Sequence, residues 1–344
     1  MKINGRSIGD GHLPYIVAEL SANHNGSLEN AIKVIKMAKN SGAEAIKLQT
    51  YTPDTITINS NKPDFIIDDG LWSGRSLYDL YKEAHTPWEW HKTLFDYADK
   101  LNITCFSSPF DRTAVDFLED LNVPAYKVAS FEMIDLPLVK YIAETRKPMI
   151  ISTGMADADE IQEAIEAAKE GGCKELALLL CVSSYPAPAV DYNLRTLVDM
   201  QQKFGLITGL SDHTIDNTTA ITSVALGASI IEKHVTLNRN GGGPDNSFSL
   251  EEKELKELCF GVKTAWGALG KVNYDRKSSE QSNVKFRRSL YFVKDIQVGE
   301  IITASHVKSI RPGYGLQPKL IEDIIGKRST KEIKAGTPVK KEHF

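Results

Sequence analysis

Two short strings in the second half of this chain gather residue types that do chemistry. They are Gly209-Leu210-Ser211-Asp212-His213-Thr214 and Ile231-Glu232-Lys233-His234-Val235. Each sets a histidine where a short apolar run ends. Two imidazoles at the ends of neighbouring strands can hold one divalent cation and leave positions open for water and a substrate oxygen. The ordinary alternative is a hydrogen-bonded histidine near a core.

Other apolar runs end on polar groups too. The first ends at Glu19, the second gives Lys47 and Gln49, and the third gives Ser107 and Ser108. The fourth gives Lys127, Ser130 and Glu132, the fifth Ser152 and Thr153, and the sixth Ser183 and Tyr185. Two lysines and a ring of serines suit a phosphate and a carboxylate, as ammonium and hydroxyl donors to anionic oxygens. A Schiff-base lysine is the chemical rival and makes an aldolase the alternative enzyme. Glu19, Glu132 and Asp245 are candidate acids, bases or sugar-hydroxyl acceptors. Glu132 is assigned to sugar binding, and Glu19 to proton transfer or water positioning. Asp212 reads as a group that orients a neighbour. Asp245 follows Gly241-Gly242-Gly243-Pro244, which reads as a flexible loop. For Trp72 and Trp90, packing within a loop is the simpler explanation, and shaping a sugar pocket is the alternative.

These positions need a scaffold. Short apolar runs begin at Tyr15, Ala43, Ile103, Ala125, Met149, Leu176, Leu206 and Ser229, and helix-period stretches separate them. Ser27–Ser41 and Ala156–Gly171 fit a period of 3.6, with caps at Ser27 and Asp157 and glycine at their ends. Eight strands alternating with helices over about 260 residues predict a (β/α)8 TIM barrel. A doubly wound sheet is the structural rival, but no glycine fingerprint follows the first strand. The insert Thr52–Pro87, with Trp72, Arg75 and Tyr78, is long for a βα loop and is expected to shape the substrate site.

The boundaries expected are a barrel over residues 1–270, a polar linker over 271–285 and a small mixed domain over 286–344. About 60 residues is marginal for independent stability, so the tail is expected to pack on its own barrel or on a partner. Of the 344 residues 42% are hydrophobic and 25% charged, ordinary for a soluble globular protein. A net charge of −4 supplies no field for nucleic acid or anionic lipid. No apolar run approaches membrane-spanning length and no signal sequence is evident, so a cytoplasmic location is expected. The four cysteines lack paired spacing, and Cys105 and Cys181 read as reduced core residues.

Five strings resemble the sialic acid synthase family in order: Ala18–Ser27, Ala125–Glu132, Ser152–Met155, Gly209–Thr214 and Glu232-Lys233-His234. The tail resembles that family's antifreeze-like (SAF, β-clip) domain at Asp295-Ile296, Gly299-Glu300 and Arg311-Pro312-Gly313. Within the family, the finer match is to the branch that makes pseudaminic acid, through Lys47–Asp54, Gly70-Leu71-Trp72, Thr86–His91, Phe106–Phe110 and Arg288–Tyr291. The resemblance implies condensation of phosphoenolpyruvate with an amino sugar, for that branch 2,4-diacetamido-2,4,6-trideoxy-L-altrose; the N-acetylneuraminate and legionaminate branches are the alternatives. It implies that Lys47, Ser108, Lys127, Ser130, Ser152, Ser183 and Ser211 hold phosphoenolpyruvate. Serine at 183 departs from the asparagine common in the sialic branch. His213 and His234 would bind Mn2+ or Mg2+, with Co2+ also acceptable to such ligands. Gln49, Glu132, Tyr185 and Asp245 would face the sugar or a metal-bound water. Arg311 would reach the sugar from the tail of a second subunit, which implies a domain-swapped homodimer. A non-catalytic sugar-binding role for the tail is the remaining alternative.

Overall fold

The computed structural model describes residues 1–344. Eight parallel strands close into a barrel: β1 (Tyr15–Glu19), β2 (Ala45–Thr50), β3 (Thr104–Pro109), β4 (Tyr126–Val128), β5 (Met149–Ser152), β6 (Leu176–Cys181), β7 (Ile207–Ser211) and β8 (Ile230–His234). Each strand pairs with the next, and β8 closes on β1 with Ile230 opposite Tyr15 and His234 opposite Glu19. The doubly wound alternative is therefore excluded. The third run extends past Phe106 to Pro109, which carries Ser107 and Ser108 inside the strand.

Side-chain alternation explains how an apolar strand ends in chemistry. Tyr15, Val17, Ala45, Phe106, Ala125, Ile150, Ala177, Leu179 and Ile230 form one buried cluster together with Ile3 and Ile8 from the N-terminal segment. Residues two further along the same rows are Glu19, Lys47, Ser108, Lys127, Ser152, Cys181 and Glu232, with His234 two beyond Glu232. The intervening residues, such as Ile16, Ala18, Ile46, Leu48, Val128, Ile151, Leu178 and Ile231, belong to the larger core between strands and helices. One face of each strand is thus apolar at its start and polar at its end. A one-residue slip would turn the lysines into the helix layer. Gly209 marks a tight point in this packing, since a Cβ there would stand 2.4 Å from the Ile230 carbonyl oxygen on β8.

The two expected helices form with their caps. In Leu28–Ser41 the Ser27 hydroxyl accepts from the Asn30 amide, and left-handed Gly42 ends the helix. Ala158–Glu170 opens on a capping box of Asp157 and Glu160. The insert Thr52–Pro87 carries a short turn of helix at Pro53–Ile56 and a helix at Leu77–Ala84.

The chain divides into compact units Met1–Gly270 and Lys271–Phe344. The second unit starts with exposed chain that includes 3-10 turns at Ser278–Phe286. Its strands β9 (Ser289–Phe292) and β10 (Val307–Ile310) pair antiparallel, and Leu290, Phe292, Ile296, Ile302, Val307, Ile324, Ile333 and Val339 form its own core. All four cysteines are free, and no helix is long and apolar enough to cross a membrane.

Candidate active site

A cavity of about 520 Å³ opens where the barrel strands end. Glu19, Lys47, Gln49, Lys127, Ser130, Glu132, Ser152, Ser183, Tyr185, Ser211, His213, His234 and Asp245 all line it. A groove of about 670 Å³ among outer-helix residues such as Arg112, Lys140 and Glu163 is larger. It gathers none of the strand-end groups, so size does not locate the chemistry.

The floor is a chain of alternating charge. Lys47 Nζ lies 2.8 Å from Glu19 Oε2 and 3.7 Å from Glu232 Oε1. Lys127 Nζ lies 3.8 Å from the same Glu232 oxygen and donates to the Val128 carbonyl at 3.1 Å. The Ser211 hydroxyl donates to Glu232 Oε1 at 3.1 Å. These neighbours set the protonation states. Burial pushes the Glu19 carboxyl up to about 7, and repulsion from Glu232 adds to this against the pull of Lys47. Glu232 is equally buried, but Lys127, Lys47 and Ser211 together outweigh burial and hold it below the usual carboxylate range. Burial also opposes charge on Lys47, yet Glu19 and Glu232 hold its ammonium above the ordinary value. Lys127 has one close carboxylate and Lys47 nearby, so burial prevails and its pKa is lowered. Two carboxyls with opposite tendencies share one lysine, the arrangement that separates a proton carrier from a fixed anion.

Several polar atoms here are buried without a partner: Glu19 Oε2, Glu132 Oε2, Ser152 Oγ, Glu232 Oε2 and His234 Nδ1. The Glu19 oxygen touches Lys47 at ion-pair distance, but not in hydrogen-bonding geometry. Unpaired buried polar groups are costly and rare. Their concentration in one cavity points to a polar ligand that completes them. Burial also pushes Glu132 up to about 7.

The sugar-side groups join through Ser21, which sequence reasoning left without a role. Gln49 Nε2 donates to Glu19 Oε1 and to Ser21 Oγ, each at 2.9 Å, and Ser21 donates to Asp245 Oδ2 at 2.5 Å. Burial raises the Asp245 carboxyl. The loop that carries Asp245 is pinned, correcting the flexible loop expected from its glycines. Asn246 Nδ2 donates to Asn23 Oδ1 at 2.9 Å and to Thr236 Oγ1 at 2.6 Å, and its Oδ1 accepts from the Gly243 amide. The indole of Trp72 donates to the Pro244 carbonyl at 3.0 Å, and its ring lies 5.7 Å from that of Tyr185. Trp72 therefore faces the cavity rather than only its own loop. Trp90 packs against the barrel core and against His24.

The His213 and His234 rings have centroids 5.4 Å apart. His213 Nδ1 donates to the Val182 carbonyl at 2.7 Å, which leaves Nε2 for another partner. Burial pulls the His213 pKa down, but Cys181, the Val182 carbonyl and Glu232 outweigh it and the net direction is up. Burial, helped by His213 and the lysines, keeps His234 well below its ordinary value and so neutral. Its orphaned Nδ1 lies 3.7 Å from Asp245 Oδ2. Two imidazole nitrogens without protein partners fit a divalent cation, and no cluster of three or more His, Cys, Asp or Glu side chains converges on one point. Such a cation would keep most of its positions for water and substrate.

Ser108 is fully buried below the cavity wall and braces Lys47 through a hydroxyl 3.3 Å from Nζ. Ser107 faces the helix layer and bonds Thr50, which bonds His91. Ser130 and Ser183 pair at 2.8 Å, and a Cβ at left-handed Gly154 would stand 2.4 Å from Ser130 Cβ. Asp212 takes the orienting role expected of it: it accepts from Lys233 Nζ at 2.8 Å and from the Thr214 amide at 2.9 Å. Lys233 also donates to the carbonyls of Thr214 and Asp216, which fixes the turn that carries His213. Arg311 belongs to the second unit, between β10 and Pro312. Glu232, also unassigned from sequence, proves central to the floor. Its signal was parity, since it shares a strand face with His234 whereas Lys233 points away.

Comparison with known proteins agrees with this architecture. The chain is 46% identical over 330 residues to the pseudaminic acid synthase of Campylobacter jejuni, covering 96% of each. It is 44% identical over 328 residues to that of Helicobacter pylori, covering 95% of this chain and 96% of the relative. The crystal structure of N-acetylneuraminic acid (sialic acid) synthetase from Leptospira borgpetersenii, in complex with citrate, superposes with a TM-score of 0.73. It is 31% identical, covering 83% of this chain and 94% of that one. A SAF domain model matches residues 287–344. With the NeuB family model matching residues 34–274 across the barrel that carries this site, the chain belongs to the NeuB family.

Proposed function

We propose that this chain condenses phosphoenolpyruvate with 2,4-diacetamido-2,4,6-trideoxy-L-altrose and water to give pseudaminic acid and phosphate. The observation that carries the proposal is the barrel floor. Lys47 and Lys127 share one cavity with the unpaired Ser152 hydroxyl, in a chain 46% identical to a pseudaminic acid synthase. The choice of sugar rests on that identity, against 31% to the sialic acid enzyme.

The phosphate and carboxylate of phosphoenolpyruvate accept from Lys47, Lys127, Ser152 and Ser211, and from the Ser130–Ser183 pair. Ser108 holds Lys47 from behind. These donors are in place before substrate arrives, so little reorganisation accompanies charge movement. Gln49, Glu132, Tyr185 and Asp245 bind and orient the open-chain sugar. A divalent cation held by His213 and His234 would supply Lewis acidity towards the sugar aldehyde.

The enol C3 of phosphoenolpyruvate forms the new bond to the aldehyde carbon, and the aldehyde oxygen takes up a proton. The cation left at C2 is captured by water, which gives up a proton. The tetrahedral carbon then expels phosphate by C–O cleavage, and its hydroxyl gives its proton to the departing phosphate, leaving the C2 ketone. Glu19, held near neutrality by burial, is the group suited to move these protons. Glu232 stays anionic and keeps the lysines in register.

The proposal extends to a domain-swapped homodimer in which Arg311 of the partner subunit reaches the sugar. Mixing Arg311→Ala and His213→Ala proteins, each inactive alone, should restore activity; no recovery under exchanging conditions counts against the swap. The Schiff-base aldolase is favoured only by the lowered Lys127 pKa. Borohydride should trap no adduct on Lys127 or Lys47. The substrate itself is tested by phosphate release with phosphoenolpyruvate, Mn2+ and a sugar panel. Turnover of the altrose sugar is expected; turnover of N-acetylmannosamine or the legionaminate precursor instead overturns the choice of sugar.

A further inference from the structure

The cavity has two chemically different linings. Strand ends supply nearly all of its charged and hydroxyl groups. The insert Thr52–Pro87 supplies Ile56, Ile67, Trp72, Leu77 and Leu80, apolar except for the indole N–H, together with the phenol of Tyr81. That N–H is already bonded to the Pro244 carbonyl. This wall is built rather than draped. Ile66 bridges Ser76, Ser76 caps the helix Leu77–Ala84, and the Tyr78 hydroxyl reaches Asp54 at 3.2 Å. Trp72 places the wall beside Tyr185 and next to Asp245, two of the groups assigned to the sugar.

We infer that this insert wall is the specificity element for the sugar: it buries the substrate's methyl groups and selects a 6-deoxy, diacetamido sugar over one with hydroxyls in those places. The inference rests on the proposed condensation and adds which part of the chain chooses the sugar. The physical reason is desolvation. A methyl group against Ile67 or Leu77 leaves water at no cost in hydrogen bonds, whereas a hydroxyl there loses its water and gains no partner from either side chain. Apolar pockets discriminate one such group by roughly ten- to a hundred-fold. The donors to phosphoenolpyruvate cannot make this choice, because they address anionic oxygens that every candidate reaction shares.

The test is steady-state phosphate release with three L-altrose sugars: the 2,4-diacetamido-6-deoxy compound, its 6-hydroxy analogue and its 4-hydroxy analogue. The unaltered protein should show kcat/KM lower by about ten-fold or more for each analogue, mainly through KM. Ile67→Thr and Leu77→Asn, at half-buried positions, should shrink that preference to about three-fold or less while the KM for phosphoenolpyruvate holds. Equal use of all three sugars by the unaltered protein overturns the inference and leaves the condensation standing. Retention of the full preference by both folded variants also overturns it. Turnover of N-acetylmannosamine with none of the altrose sugar overturns the condensation assignment first, and the inference with it. The unaltered protein alone decides the first and last outcomes, so the inference stays testable if a variant fails to fold.

Discussion

Replacing Glu232 by glutamine should uncouple Lys127 from its site. Lys47 would retain Glu19 at 2.8 Å, but Lys127 would keep only the Val128 carbonyl. Opposite charges 3.8 Å apart attract by about 4 kcal/mol at an effective dielectric of 20. Losing that attraction moves the Lys127 titration down by about three pH units at most. The amide dipole of glutamine recovers part of it, so a fall of one to two units is about what to expect. Lys127 already lies below the ordinary lysine value, through burial and the nearness of Lys47. The further fall brings loss of its charge towards neutral pH. The assay is phosphate release at saturating sugar with phosphoenolpyruvate varied, across roughly pH 6 to 10. The KM for phosphoenolpyruvate should begin to climb at lower pH in Glu232→Gln than in the parent, with kcat less affected. Lys127→Met supplies the limit, a high KM lacking that limb. If folded Glu232→Gln gives a KM–pH curve superimposable on the parent's, Glu232 does not hold the lysine charge and the argument from the floor fails.

Lys233→Met leaves Asp212 buried without its cation and should cost about 3–5 kcal/mol, seen as a Tm lower by roughly 6–20 °C in thermal unfolding. Glu132 carries a raised carboxyl pKa of about 7, so the native state binds more protons than the unfolded state between that value and the ordinary 4.5. Its contribution to stability is present at low pH and is lost as pH rises through that window, by at most about 3 kcal/mol. Glu132→Gln should flatten this decline in a Tm-against-pH series. Chelation should stop phosphate release and added Mn2+ restore it, and His234→Ala should lower the Mn2+ bound per chain as measured by elemental analysis.

Much of this site was legible because a barrel ties function to a simple position, the end of a strand. Any apolar run ending in Lys, Ser, Glu or His offered its last inward residue, and so Glu19, Lys47, Lys127, Ser152 and His234 could be named. Parity was less visible. Ser107 and Ser108 look alike in sequence, yet one faces the helices and the other braces Lys47. Glu232 and Lys233 are both buried and charged, yet one joins the floor and the other fixes the turn that carries His213. Trp72 was ambiguous because only the folded insert brings it to Pro244, 172 residues away.

The sequence by itself determined the strand–helix alternation, the helix caps and the polar residue types at the strand ends. These are local properties, set by periodicity and short-range hydrogen bonds. Only the tertiary structure decided which carboxylate meets which lysine, and hence which of Glu19 and Glu232 keeps a proton. It also decided that a glycine-rich loop is held still by Asn246, and that an apolar insert walls one part of a polar cavity. Those outcomes depend on distances and burial between residues far apart in the chain, and a pKa or a desolvation cost exists only once they are fixed.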